Sequence, residues 1–161
     1  IRDRSPSRGL GDVYKRQSWA CPPGCGTLEQ AITDIGRCKS GILVQTTGRL
    51  TDEFDYDGMQ EISRRHRKSF ESFARQARML YPDCLALTAG TCTVCAKCTY
   101  PMKPCRFPKK RLSSMEAYGL WVSDICRRSG LEYNYGKLTM TYTSCVLLRS
   151  DRYADCKGNF S

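Results

Sequence analysis

The stretch Cys84–Cys105, CLALTAGTCTVCAKCTYPMKPC, decides how the rest of the chain is read. Its first part, Cys84 to Ala89, is a short apolar run of strand type, and Gly90 follows as a turn residue. The strand delivers the chain into a loop where the fifteen residues Thr91–Cys105 hold four thiols, Cys92, Cys95, Cys98 and Cys105. A structural zinc ion takes four ligands at about 2.3 Å in a tetrahedron, usually from two separated CxxC or CxxH halves. Cys92-x2-Cys95-x2-Cys98 has no second half. Three evenly spaced thiolates on one turning loop suit a larger object, each reaching a different iron of a cubane. Cys105 arrives after Pro101 and Pro104 have bent the chain, and can supply the fourth thiolate or serve another site. The spacing therefore points to a 4Fe–4S cluster on Cys92, Cys95, Cys98 and Cys105. A zinc ion and a thiol or disulfide relay are the alternatives. Four thiols serving only as buried packing fit poorly, because a loop of Thr, Lys, Tyr and Pro offers little core.

Cations surround this loop. Lys97, Lys103, Arg106, Lys109, Lys110 and Arg111 flank it, and cations beside a cluster carrying four thiolates offset its negative charge. Lys97, Arg106 and Lys109 are singled out as the cofactor's environment. The same side chains, taken together, could present a docking surface for an acidic redox partner protein.

The chain has 161 residues and eleven cysteines. Eleven is odd, so a fully paired disulfide framework within this chain is excluded. Cys21 and Cys25, in WACPPGCG (Trp19–Gly26), are further candidate ligands, since Cys21 is followed by proline as in a ferredoxin run. Cys38, Cys84, Cys126, Cys145 and Cys156 are scattered, and are read as small packing residues.

Residues 1–17, IRDRSPSRGLGDVYKRQ, read as a translated sequencing adapter and not as part of the fold. They are expected to be disordered, and the natural chain to begin within an open reading frame at Ser18. The formal charge of the whole is +10, of which this segment's five basic and two acidic residues account for +3. Residues 18–161 form one domain with a real core, too short for two of ordinary size. No apolar run approaches a membrane span.

Thr27 and Gln30 form a capping box opening a helix from Leu28 to about Lys39, and Ile42–Thr47 reads as a strand. Asp57 with Gln60 caps a second helix, Met59–Leu80, whose Ile62, Phe70, Phe73, Ala77 and Leu80 recur at helical spacing. Ser113 with Glu116 caps a third, ending near Ser129 before Gly130. LEYNY, a turn at Gly136 and LTMTYTSCVLL suggest a hairpin. The sum is a single compact α+β or α/β domain, a mixed sheet with helices, with the cysteine loop between a strand and a helix.

The basic run RRHRK (Arg64–Lys68) spreads around most of a helix's circumference and lacks interleaved aromatics, so it reads as a solvated face and not as a nucleic-acid site. His66 is the only histidine, which excludes multi-histidine metal sites and most histidine-based hydrolase schemes. No P-loop, GxGxxG or GxSxG motif is present, so no side-chain constellation announces an enzyme.

WACPPGCGTLEQ, DEFDYDGM, CTVCAKCTYPMKPCRFP and SMEAYGLWVSDICRRSGLEYNYGKLTMTY, in this order, resemble the predicted metal-binding proteins grouped as domain of unknown function 2284. The resemblance covers residues 19–148, and CxxCxxC…PCRxP is its most specific part. It implies metal binding at Cys92, Cys95, Cys98 and Cys105, with Cys21 matching the W-x-C-P-P element. Relatives carry further cysteines just upstream of the tryptophan, where this sequence has the adapter-like segment. The expectation is a cytoplasmic iron–sulfur protein carrying single electrons to a partner. A structural zinc module for protein interaction and a subunit of a redox enzyme are the alternatives.

Overall fold

The computed structural model describes residues 18–149. The adapter-like segment and Cys156 lie outside them. Elements follow in the order α1 (Leu28–Gly36), β1 (Ser40–Arg49), α2 (Tyr56–Leu80), β2 (Leu85–Thr88), β3 (Ser113–Ser114), a 3₁₀ turn (Glu116–Tyr118), α3 (Val122–Arg128) and β4 (Thr139–Leu148). The strands form one mixed sheet in the order β1-β4-β2-β3. Strand β4 is antiparallel to β1 and to β2, while β2 and β3 are parallel.

Alternation along β4 builds two cores. Val146 and Leu148 face α2, packing with Phe70, Ala74, Ala77, Ala86 and Leu112. Cys145 faces the other way, packing with Leu87, Met115, Val122 and Cys126. A period-two strand with both faces covered needs apolar residues at consecutive positions, which Cys145-Val146-Leu147-Leu148 supply.

The capping box forms as the sequence dictates: Gln30 N–H donates to Thr27 Oγ1, and Thr27 N–H to Gln30 Oε1. The second cap differs. Asp55, not Asp57, accepts the Gly58 N–H at 2.8 Å and also the Thr51 N–H at 2.9 Å. Asp55 can hold the preceding loop and the helix start together, which moves the start of α2 to Tyr56. Along α2, Ile62, His66, Phe70, Ala74 and Ala77 are buried, whereas Leu80 is exposed. His66 is thus turned inward and departs from the solvated face expected of RRHRK.

Two further expectations are corrected. The helix from Ser113 is split: Ser113–Ser114 joins the sheet as β3, so the cysteine loop connects two strands, and Gly119 (φ 73°) ends the 3₁₀ turn before α3 begins. Met115 stands at the N-cap of that turn with no side-chain cap, and Ser114 Oγ accepts the Ala117 N–H beside it. The hairpin is also absent among the described residues, where LEYNY forms no strand. Its polar groups are held by side chains instead. Gln45 Nε2 donates to the Glu132 carbonyl, Tyr135 Oη donates to Gln45 Oε1, and Asn134 Oδ1 accepts from Gly136 N–H. Side-chain acceptors of this kind compete with a ladder for the backbone. No helix among the described residues is long and apolar enough to cross a membrane.

Candidate metal centre

The loop 89–112 leaves β2 and returns as β3. Its root is fixed by a buried polar chain. Ala89 N–H donates to Ser144 Oγ at 2.8 Å, His66 Nε2 lies 2.7 Å from the same oxygen, and His66 Nδ1 lies 2.9 Å from Thr46 Oγ1. Burial, reinforced by the Arg67 charge, lowers the imidazole's pKa to about 4, so His66 is neutral at pH 7. Both ring nitrogens have partners, as a buried histidine requires. This tether was missed in the sequence. The signal was present, because His66 continues the four-residue spacing Ile62–His66–Phe70–Ala74.

Beyond Gly90 (φ 72°) the loop turns, and Cys92, Cys95, Cys98 and Cys105 line one cleft. All four are half-buried. Val94, Phe107 and Arg111 complete that wall. The opposite wall comes from the far end of the chain, as Ser18, Trp19 and Ala20. Trp19 Nε1 donates to the Lys103 carbonyl at 2.9 Å, and its ring meets Tyr100 edge-on at 5.0 Å between centroids. Gly24 lets this turn close: a Cβ there would lie 3.0 Å from Trp19 Cα and 3.1 Å from Tyr100 Cε2. The role of Trp19 as a clamp also went unread, although WACPPGCG marked the segment as unusual.

The cations are placed unevenly. Arg111 lines the cleft. Arg106 donates to the Lys97 carbonyl at 3.1 Å and so braces the loop. Lys109 points its part of the loop toward α2, its carbonyl accepting from Arg78 at 2.9 Å. Cys21 and Cys25 lie next to the cleft without lining it. Cys21 is buried, with Sγ 3.3 Å from Ser18 Oγ. Burial raises the pKa of Cys25, partly offset by a hydrogen bond with Ser113. Cys126 and Cys145 are core residues, and burial pushes the Cys145 thiol up to about 12. Cys38, just past the end of α1, bonds back through Sγ to the Asp34 carbonyl, and Cys84 packs beside the α2 core.

The four loop thiols supply the right donor chemistry for a metal group, with no carboxylate among the residues lining the cleft. The cleft is narrow, about 20 Å³, and among the described residues no three Cys, His, Asp or Glu side chains are gathered tightly enough to hold an ion. Binding would require the loop to adjust. Thr91–Cys98 make none of the backbone–backbone hydrogen bonds that brace the second half, where Lys103 N–H bonds the Thr99 carbonyl and Arg111 N–H the Phe107 carbonyl.

A compact α+β domain with a mixed sheet and a four-thiol loop is the class of protein that the fold and the cleft define. The chain belongs to the family described as predicted metal-binding protein (DUF2284), whose model matches residues 13–148. No curated protein and no solved structure matches it.

Proposed function

We propose that Cys92, Cys95, Cys98 and Cys105 bind a 4Fe–4S cluster, and that the protein passes single electrons to a partner protein, in the cytoplasm. The observation that carries this reading is that the four thiols of one loop line the same cleft, with Arg111 beside them. The even Cys92/Cys95/Cys98 spacing favours a cluster over an ion clasped by two halves. When bound, such a cluster supplies reversible one-electron chemistry. The chain's own contribution is positional. Trp19 and Phe107 shield the cleft, Arg111 offsets thiolate charge, and the His66–Ser144 tether fixes where the loop leaves the sheet. Lys97 and Arg106 brace the loop through their mutual contact, and Cys21 and Cys25 stand by as further thiols. Exposed Lys97, Lys103 and Arg106 offer an acidic partner its contact.

One observation favours a second reading. A 20 Å³ cleft admits an ion-sized body with less loop movement than a cluster needs, so a structural zinc ion on the same four thiols is the runner-up. Anaerobic purification with iron, sulfide and zinc analysis decides between them. Brown protein with about four irons and four sulfides per chain, bleached on reduction and lost in Cys95→Ser and Cys98→Ser, is the expected result. Colourless protein with one zinc per chain overturns the cluster, and protein that binds neither overturns both.

A further inference from the structure

A second cleft, of about 610 Å³, lies between the C-terminal half of α2 and the outer side of the cysteine loop. Its floor is apolar: Ala74 and Leu112 are buried and Val94 is half-buried. Met79, 71% exposed, adds a thioether at the lip. Its rim is cationic, with Arg75, Arg78, Lys109 and Lys110 set against the single carboxylate of Glu71. None of these four cations pairs with a carboxylate among the described residues. Arg78 is held by the Lys109 carbonyl, and Lys110 Nζ sits 5.7 Å over the Phe107 ring, so two of them are positioned before any ligand arrives.

This combination is selective. A flat acidic protein surface has no use for a recessed apolar floor, and an inorganic anion leaves that floor wet. The volume falls within the range of about 300–1,000 Å³ typical of small-molecule sites. Guanidinium forks match phosphate oxygens bidentately, and a lysine adds a mobile charge. We propose that this cleft binds a small phosphorylated organic molecule of mononucleotide size. Its apolar body lies on Ala74, Val94 and Leu112, and its phosphate among Arg75, Arg78, Lys109 and Lys110. Val94 lines both this cleft and the thiol cleft, so the ligand lies across one turn of chain from Cys92 and Cys95. The proposal does not depend on what the thiols hold.

The test is calorimetric titration of the full chain with flavin mononucleotide and with adenosine 5′-monophosphate, each beside its dephosphorylated form, riboflavin or adenosine. Inorganic phosphate and a polyglutamate peptide are run alongside. Saturable binding of at least one phosphorylated probe, ten-fold or more tighter than its dephosphorylated form and than inorganic phosphate, is expected. Arg75→Glu with Lys110→Glu should weaken it at least ten-fold while leaving the circular dichroism spectrum unchanged, since both side chains are exposed. Arg75→Gln, which adds no acid, should weaken it less. Equal binding of the two forms, no saturable binding of either nucleotide, or indifference to the charge reversal overturns the proposal. So does tighter binding of inorganic phosphate, which would mark an anion spot only, or of polyglutamate, which would mark a protein-docking surface.

Discussion

Trp19 donates its indole N–H to the carbonyl of Lys103 at 2.9 Å, across 84 positions of sequence. That bond, with the Tyr100 ring edge-on to the indole, makes the first turn of the described chain a wall of the thiol cleft. Trp19→Phe keeps an aromatic ring and loses the donor, so it should cost roughly 1 kcal/mol. Trp19→Ala loses both and should cost roughly 2–3 kcal/mol, allowing for its partial exposure. Urea unfolding measures both. Metal retained by the alanine variant should also exchange faster with a chelator, and unchanged exchange would remove the clamp from the site.

Acid should loosen the loop before it unfolds the helices. His66 has a folded pKa lowered to about 4 from an ordinary 6.5, so between those values the unfolded chain takes up a proton that the folded chain refuses. The stability gained by keeping it neutral is full above about pH 6.5 and is lost as the pH falls toward 4. A loss of about 1–2 kcal/mol is expected after allowing for solvent screening. Asp55 is lowered as well: its bonds from Thr51 and Gly58 hold its carboxyl below the ordinary 3.8, so its contribution fades only in stronger acid. Denaturation midpoints from pH 7 to pH 4 should therefore show a fall that His66→Gln abolishes.

Two classes of cysteine should separate in one experiment. Cys145→Ser places a hydroxyl in an apolar cluster and should destabilise by about 1–3 kcal/mol with metal content unchanged. Cys98→Ser, in a half-buried loop, should do the opposite, abolishing loading while barely moving the unfolding midpoint of the metal-free chain. Metal analysis and urea curves on both variants check this.

Strand β1 rests on α2 through a position with no room for a side chain. A Cβ at Gly48 would lie 2.5 Å from Ile62 Cγ1 and 2.6 Å from its Cδ1. Gly48→Ala should cost about 1–3 kcal/mol through overpacking. Combined with Ile62→Ala, the loss should be less than additive, because the second change vacates the contested space. Additive losses would mean that the two positions do not meet.

Much of this arrangement was legible from local pattern. The capping box at Thr27, the strand feeding Gly90, the mixed sheet and the shared cleft of Cys92, Cys95, Cys98 and Cys105 follow from short-range signals. The rest depends on partners distant in sequence. Ser113 pairs with Leu87 because the loop returns there, and a capping signature cannot report that. LEYNY carries strand-like residues, yet Gln45, some ninety positions earlier, takes its polar groups. His66 sits inside a run of cations, where charge density hid the inward spacing it shares with Ile62 and Phe70.

The sheet order has a consequence for biosynthesis. Strand β4, the last of the described strands, fills the gap between β1 and β2, which have no ladder with each other. Until Ser144 is made, β1 has no strand partner, β2 has only the two-residue β3 beside it, and the Ala89 N–H lacks its acceptor. Closure at the root of the cysteine loop therefore depends on β4, which follows the last loop thiol, Cys105, by an intervening helix and turn.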